Sequence, residues 1–133
     1  MAIGIIRNIG GGTVKSKFPW DSRTQGGWNG LNIGLIAGTD GYCTSSIYSP
    51  KIKDNCSLKF TLSTGTSSGS AYVQGSTDGA NWSTISYQSG SSITGNIMLT
   101  NYVGSNILLR VRFINGDGQA HTMYINEMQI IQN

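Results

Sequence analysis

The sequence predicts an all-β domain: an antiparallel β-sandwich of about eight strands behind a glycine-rich N-terminal arm. Three observations carry this. Charge is sparse, with Asp, Glu, Lys and Arg making up 11% of 133 residues and Glu127 the one glutamate. Helices that pack on a core keep a wet face, usually of Glu and Lys, and this chain has too few of them. Glycine is abundant (19 residues) and proline scarce (2), the mix of short strands joined by turns. Several segments also alternate apolar and polar residues with the period of two that a half-buried strand requires.

Residues 1–27 read as the arm and its glycine-rich lead-in, and residues 28–133 as the sandwich. Ile3, Ile5, Ile6 and Ile9 give the arm enough apolar surface to pack, but Gly10–Gly12 breaks it. Such an arm either pairs as an edge strand or reaches to a neighbour. A short strand is expected near 31–37 and another over 45–48, ending at Pro50, which cannot donate to a ladder. In 57–62, Leu58, Phe60 and Leu62 alternate with Lys59 and Thr61. Residues 71–76 and 82–87 read as the arms of a hairpin turning at Asp78-Gly79, with Trp82 at its edge. A further strand is expected over 96–100, with Ile97 and Leu99 inward.

The clearest strand is 107–114. Ile107, Leu109, Val111 and Phe113 face one way; Leu108, Arg110 and Arg112 face the other. After a turn at 115–118, the last strand covers 122–131, with Met123, Ile125 and Ile130 as core. Met128 has the wrong parity relative to Ile125 unless a residue is inserted between them, which places a bulge at Asn126-Glu127.

Net charge is +3 and uneven: residues 1–59 hold seven Lys and Arg against three Asp. That is too diffuse for a dedicated nucleic-acid binder. Cys43 and Cys56 are spaced to close one disulfide or to remain two thiols. Neither lies in a CxxC pair and the lone His121 is distant in sequence, so no metal site or cofactor is expected. The N-terminus has no basic stretch followed by an apolar run, so no signal peptide is expected, and no segment is long enough to insert in a membrane.

Catalysis is not expected. His121 has no neighbouring nucleophile and acid in the pattern of a triad, and the acids are mostly turn residues rather than a facing pair. Candidate binding residues are Trp20, Trp28, Asn29 and Tyr42, whose rings could stack on sugar C–H faces while Asn29 or Asp21 binds hydroxyls. Arg110 and Arg112 share a strand face and suit a planar anion such as an acidic sugar. Trp82 is assigned to the hairpin rather than to a site, so function is expected upstream, in the arm and the 20–28 loop.

Three segments resemble jelly-roll β-sandwich modules of the MAM-like, discoidin-like and carbohydrate-binding kinds. They are Ser49-Pro-Lys-Ile-Lys-Asp-Asn-Cys-Ser-Leu-Lys-Phe60, the Ser76-Thr-Asp-Gly-Ala-Asn-Trp82 hairpin, and Asn106-Ile-Leu-Leu-Arg-Val-Arg-Phe113 with Tyr124-Ile-Asn-Glu-Met-Gln-Ile130. The resemblance implies a jelly roll, and its members bind glycans, bind proteins or pad larger assemblies. Where such modules carry adjacent acids for calcium, this chain has Asn126-Glu127. Two functions are expected. One is a structural or attachment component of a larger assembly, most concretely a phage virion decoration or tail protein. It would be made in the cytoplasm without a signal peptide, be located in a virion or extracellular assembly, and associate with itself or other assembly proteins through Ile3, Ile5, Ile6 and Ile9. The other is a carbohydrate-binding module or lectin with cell-surface glycans as partners.

Overall fold

The computed structural model describes residues 4–5, 13–18, 27–38, 40–45, 48–117, 119 and 121–132; up to residue 40, and at 42, 43, 122, 123 and 132, it describes backbone alone. Among the described residues there are ten strands: β1 (Gly4–Ile5), β2 (Thr13–Phe18), β3 (Gly27–Gly38), β4 (Asp40–Ser45), β5 (Cys56–Ser63), β6 (Gly69–Ser76), β7 (Ser83–Ser89), β8 (Ser92–Met98), β9 (Leu108–Asn115) and β10 (His121–Gln132). A 3-10 turn, Thr100–Tyr102, follows β8.

The strands form two five-stranded sheets. Sheet I has the order β1-β3-β10-β5-β8 and sheet II the order β2-β4-β9-β6-β7. From β3 to β10 every pairing is antiparallel. Within that run β6 and β7 are the consecutive strands that share a sheet; every other connection crosses between sheets. That is the double Greek key of a jelly roll. Beyond the eight expected strands, β1 pairs parallel to β3 and β2 parallel to β4, each at an outer edge.

The core is built by period-two alternation from both sheets. Leu58, Phe60 and Leu62 of β5 and Ile125, Met128 and Ile130 of β10 face Ala71 and Val73 of β6 and Leu109, Val111 and Phe113 of β9. All are buried, and each large side chain contributes about 1.5–3 kcal/mol. The bulge lies where the parity argument puts it. The register against β5 runs Ile125↔Leu62 and then Glu127↔Thr61, leaving Asn126 as the extra residue. Its Nδ2 donates to Ser63 Oγ (2.8 Å). The inserted residue returns Met128 and Ile130 to the core side.

Several boundaries differ from expectation. The strand expected over 31–37 extends to Gly27–Gly38, because ladder bonds to β10 outweigh the poor strand propensity of its glycines. The strand expected over 45–48 instead ends at Ser45, whose Oγ accepts the Leu109 N–H (2.9 Å) and extends the ladder by a side chain. Ser49 then rejoins β9 directly: its N–H donates to Ile107 O (2.8 Å) and its Oγ accepts the Ile107 N–H (3.0 Å). The strand expected over 96–100 runs over Ser92–Met98, because Leu99 N–H turns to Cys56 O (2.9 Å). The loops are pinned by Thr64. Its hydroxyl, fully buried, lies 2.5 Å from Gly90 O and 2.8 Å from Thr66 O, tying the β5–β6 loop to the β7–β8 loop.

Gly95 sits opposite Phe60 in the β5–β8 ladder. A Cβ there would lie 2.2 Å from the Phe60 ring, which is itself buried and walled by the core. Gly95→Ala is therefore expected to lose about 1–3 kcal/mol of stability through overpacking. Urea unfolding at neutral pH measures this; an unchanged midpoint would show that the ring moves at no cost.

Candidate ligand-binding face

The alternation that buries Leu109, Val111 and Phe113 turns Arg110 and Arg112 to the outer surface of sheet II. Strand register then sets their neighbours. One row across the sheet reads Lys15, Tyr42, Arg112, Tyr72, Tyr87. The next reads Lys17, Thr44, Arg110, Gln74, Thr84.

The aromatic part of this face is ordered by direct contacts. Tyr72 and Tyr87 lie across the β6–β7 pair with ring centroids 4.5 Å apart and planes tilted by 40°. Tyr87 keeps 53% of its surface exposed. Hydrogen bonds from Ser89 and Ser70 hold its hydroxyl below the usual tyrosine value. Arg110 is fixed from two sides: its guanidinium carbon lies 4.3 Å from the Trp82 ring centroid, and its Nε donates to Gln74 Oε1 (2.9 Å). Arg112 is exposed.

Trp82 owes its place to the preceding turn. Ser76 Oγ accepts the N–H groups of Gly79 (2.8 Å) and Asp78 (3.2 Å) and donates to Asp78 Oδ1 (3.0 Å). Asp78 Oδ1 accepts from the backbone of Ala80 and Asn81 (both 2.8 Å), and Oδ2 from Asn81 Nδ2 (2.7 Å). Gly79 takes φ +78°, which a side chain would resist. With residues 80 and 81 committed to the turn, β7 starts at Ser83 rather than at Trp82. Asn81 and then Ala80, by donating to the carboxylate, hold Asp78 far below the usual carboxylate range.

Elsewhere the chemistry is thinner. His121 Nε2 meets Asp117 Oδ2 at 2.9 Å, and Asp117 also accepts from Gln119 N–H and Thr66 Oγ1. A cleft of about 340 Å³ beside the end of β8 is lined by Asp54, Asn55, Cys56, Met98, Thr100 and Val103; Cys56 is a free, buried thiol. Among the described residues no three of His, Cys, Asp and Glu come together as metal ligands. No helix among them is long and apolar enough to cross a membrane.

The residues singled out from sequence fall on different sheets. Trp28 and Asn29 belong to β3 in sheet I, paired with Ile130 and Gln129. Tyr42, Arg110 and Arg112 belong to sheet II, with Tyr42 directly opposite Arg112. Ile5 pairs with Leu35 in sheet I. Trp20, Ile3, Ile6 and Ile9 lie outside the described residues. Sequence reasoning missed Tyr72 and Tyr87 and set Trp82 aside. The signal for the tyrosines was present: Tyr72 alternates with buried Ala71 and Val73, and a hairpin closed at Asp78-Gly79 brings Tyr87 opposite.

No family model matches the chain, and no sequence of a curated protein matches it significantly. Among solved structures it is similar to the Endo-D glycoside hydrolase domain from Streptococcus pneumoniae R6, with a TM-score of 0.51 and 16% identity. The match covers 80% of this chain and 18% of that one, so this chain spans less than a fifth of its neighbour. The likeness is one of fold, and it supports the β-sandwich.

The depressed carboxyls of Asp78 and Asp117 make stability depend on pH. Each binds its proton less readily folded than unfolded, where the value is near 3.9. Their contribution is therefore complete above that value and is lost as pH falls below it. Melting temperature is expected to drop between about pH 5 and pH 2, and Asp78→Asn is expected to flatten that drop. A wild-type slope in the variant would remove Asp78 as its source.

Proposed function

We propose that this domain is a non-enzymatic carbohydrate-binding attachment module whose ligand lies across the outer face of sheet II. One observation carries the reading: half-buried Tyr72 and exposed Tyr87 pair beside Arg112 and the Arg110–Trp82 stack. Tyrosine rings offer flat apolar surface to the C–H faces of a pyranose, and their hydroxyls, with Gln74 and the serines, offer hydrogen bonds to sugar oxygens. The parts are held before a ligand arrives, which reduces the ordering cost of binding. The fold neighbour is itself named a glycoside hydrolase domain, and a binding module is consistent with a match to under a fifth of it.

The non-enzymatic part rests on where the acids are. Among the described residues Asp54, Asp78 and Asp117 belong to three separate loops, Asp40 to β4 of sheet II, and Glu127 to sheet I, where it accepts from Thr61 Oγ1 (3.3 Å). Glycoside hydrolysis uses two carboxyl groups facing across the scissile bond.

A second reading, compatible with the first, is a structural part of a larger assembly, such as a phage virion decoration or tail protein. It is favoured by β1 and β2. Both add parallel strands at sheet edges, a position that a strand can take from its own chain or from a neighbour.

Each reading has a test. Tyr87→Ala is expected to weaken binding to any glycan found on an array by about tenfold, or ~1.4 kcal/mol, while melting stays near wild type. Full binding by the variant would move the ligand off this face. Deleting residues 1–18 is expected to convert an oligomer to a monomer in light scattering. A monomer both before and after deletion would remove the assembly reading.

A further inference from the structure

The two rows across sheet II hold ten register positions, and four of them are Lys15, Lys17, Arg110 and Arg112. No Asp or Glu occupies either row; the nearest acid in register is Asp40, one row away opposite Ile114. In a chain where 11% of residues are charged, nearly half of the nine basic residues stand on these two rows. The lysines come from β2 and the arginines from β9, two strands apart, with Tyr42 and Thr44 between them. The aromatic pair lies on the other side of the arginines, on β6 and β7. Five strands at about 4.8 Å spacing give a face roughly 19 Å across, the scale of an oligosaccharide rather than one sugar.

We propose that the ligand of this face is an anionic saccharide, its carboxylate or sulfate groups directed to the basic half and its ring faces to Tyr72 and Tyr87. The inference rests on the carbohydrate-binding reading above and narrows it. Arg112 is the exposed guanidinium and suits a planar anion through paired N–H donors. Arg110, committed to Trp82 and Gln74, supplies a fixed positive charge beside it.

Affinity electrophoresis of the full chain against four immobilised polymers tests this: polygalacturonate, heparin, neutral galactan and single-stranded poly-dT. Retardation by polygalacturonate or heparin, weakened by salt and at least about tenfold stronger than by galactan, is the expected result; which of the two binds tells carboxylate from sulfate. Arg112→Gln is expected to lose about tenfold of that affinity, with Arg112→Lys between it and wild type. Galactan bound as tightly as the acidic polymers would overturn the inference and leave the carbohydrate reading standing. Binding to no polysaccharide would overturn both. Poly-dT bound as tightly as polygalacturonate, or Arg112→Gln binding like wild type, would overturn the assignment to an anionic sugar on this face.

Discussion

The pleat of β9 is the constraint on which the rest depends. Every second side chain of that strand, Leu109, Val111 and Phe113, is fully buried between the sheets. Successive residues of a strand must point to opposite faces, so burying those three puts Arg110 and Arg112 on the outside. A one-residue slip would carry two guanidinium groups into an apolar core at a prohibitive desolvation cost. The register of sheet II is thereby set against β4 on one side and β6 on the other, and with it the identity of each neighbour of the arginines. Core and candidate site are two faces of one choice.

Sheet I meets the same constraint with a different device. β10 is twelve residues long and pairs with both β3 and β5, so a break in parity at its centre would expose half of its apolar residues. Asn126 absorbs that break, and the hydrogen bond to Ser63 gives its side chain a partner. The turn at Ser76–Asn81 plays a comparable part in sheet II. It consumes polar residues in its own bonds and fixes where β7 begins. Trp82 is thereby left beside Arg110 instead of inside the hairpin ladder, and the guanidinium stacks on it.

What could be read from the sequence follows from range. Alternation within one strand is local, and it identified the buried faces of β5 and β9 and the bulge in β10 before any partner was known. β3 was underestimated because four of its twelve residues are glycine, and its length comes from ladder bonds to a strand about ninety positions later. The site was legible in its cations and not in its rings. Arg110 and Arg112 announce a shared face through i, i+2 spacing alone. The pairing of Tyr72 with Tyr87 depends on hairpin register, which the extra residue at Ile85 shifts between Val73/Ser86 and Gln74/Thr84. Grouping Trp28 and Asn29 with Tyr42 failed for a similar reason: nearness in sequence says nothing about which sheet a strand joins, and in this topology the chain changes sheets between β3 and β4.

The edges connect the two functional readings. On one side of the sandwich the edge strands β7 and β8 carry no charged residue, a composition that invites further pairing. They are blunted in other ways: β7 is bulged at Ile85, and Gln88 reaches from β7 to cap Thr94 O of β8 (2.8 Å). On the opposite side β1 and β2 occupy the edges. β2 does more than cover β4, because its register delivers Lys15 and Lys17 to the rows of Arg112 and Arg110. An N-terminal segment that completes a sheet edge also completes the basic half of the face. If that strand came from a neighbouring copy, the proposed face would be shared between chains and assembly would create it. If it belongs to its own chain, removing it would take Lys15 and Lys17 from these rows while leaving Tyr72, Tyr87 and Arg112 in place. Either way the arm and the proposed face are coupled by register, because β2 completes the same rows of sheet II.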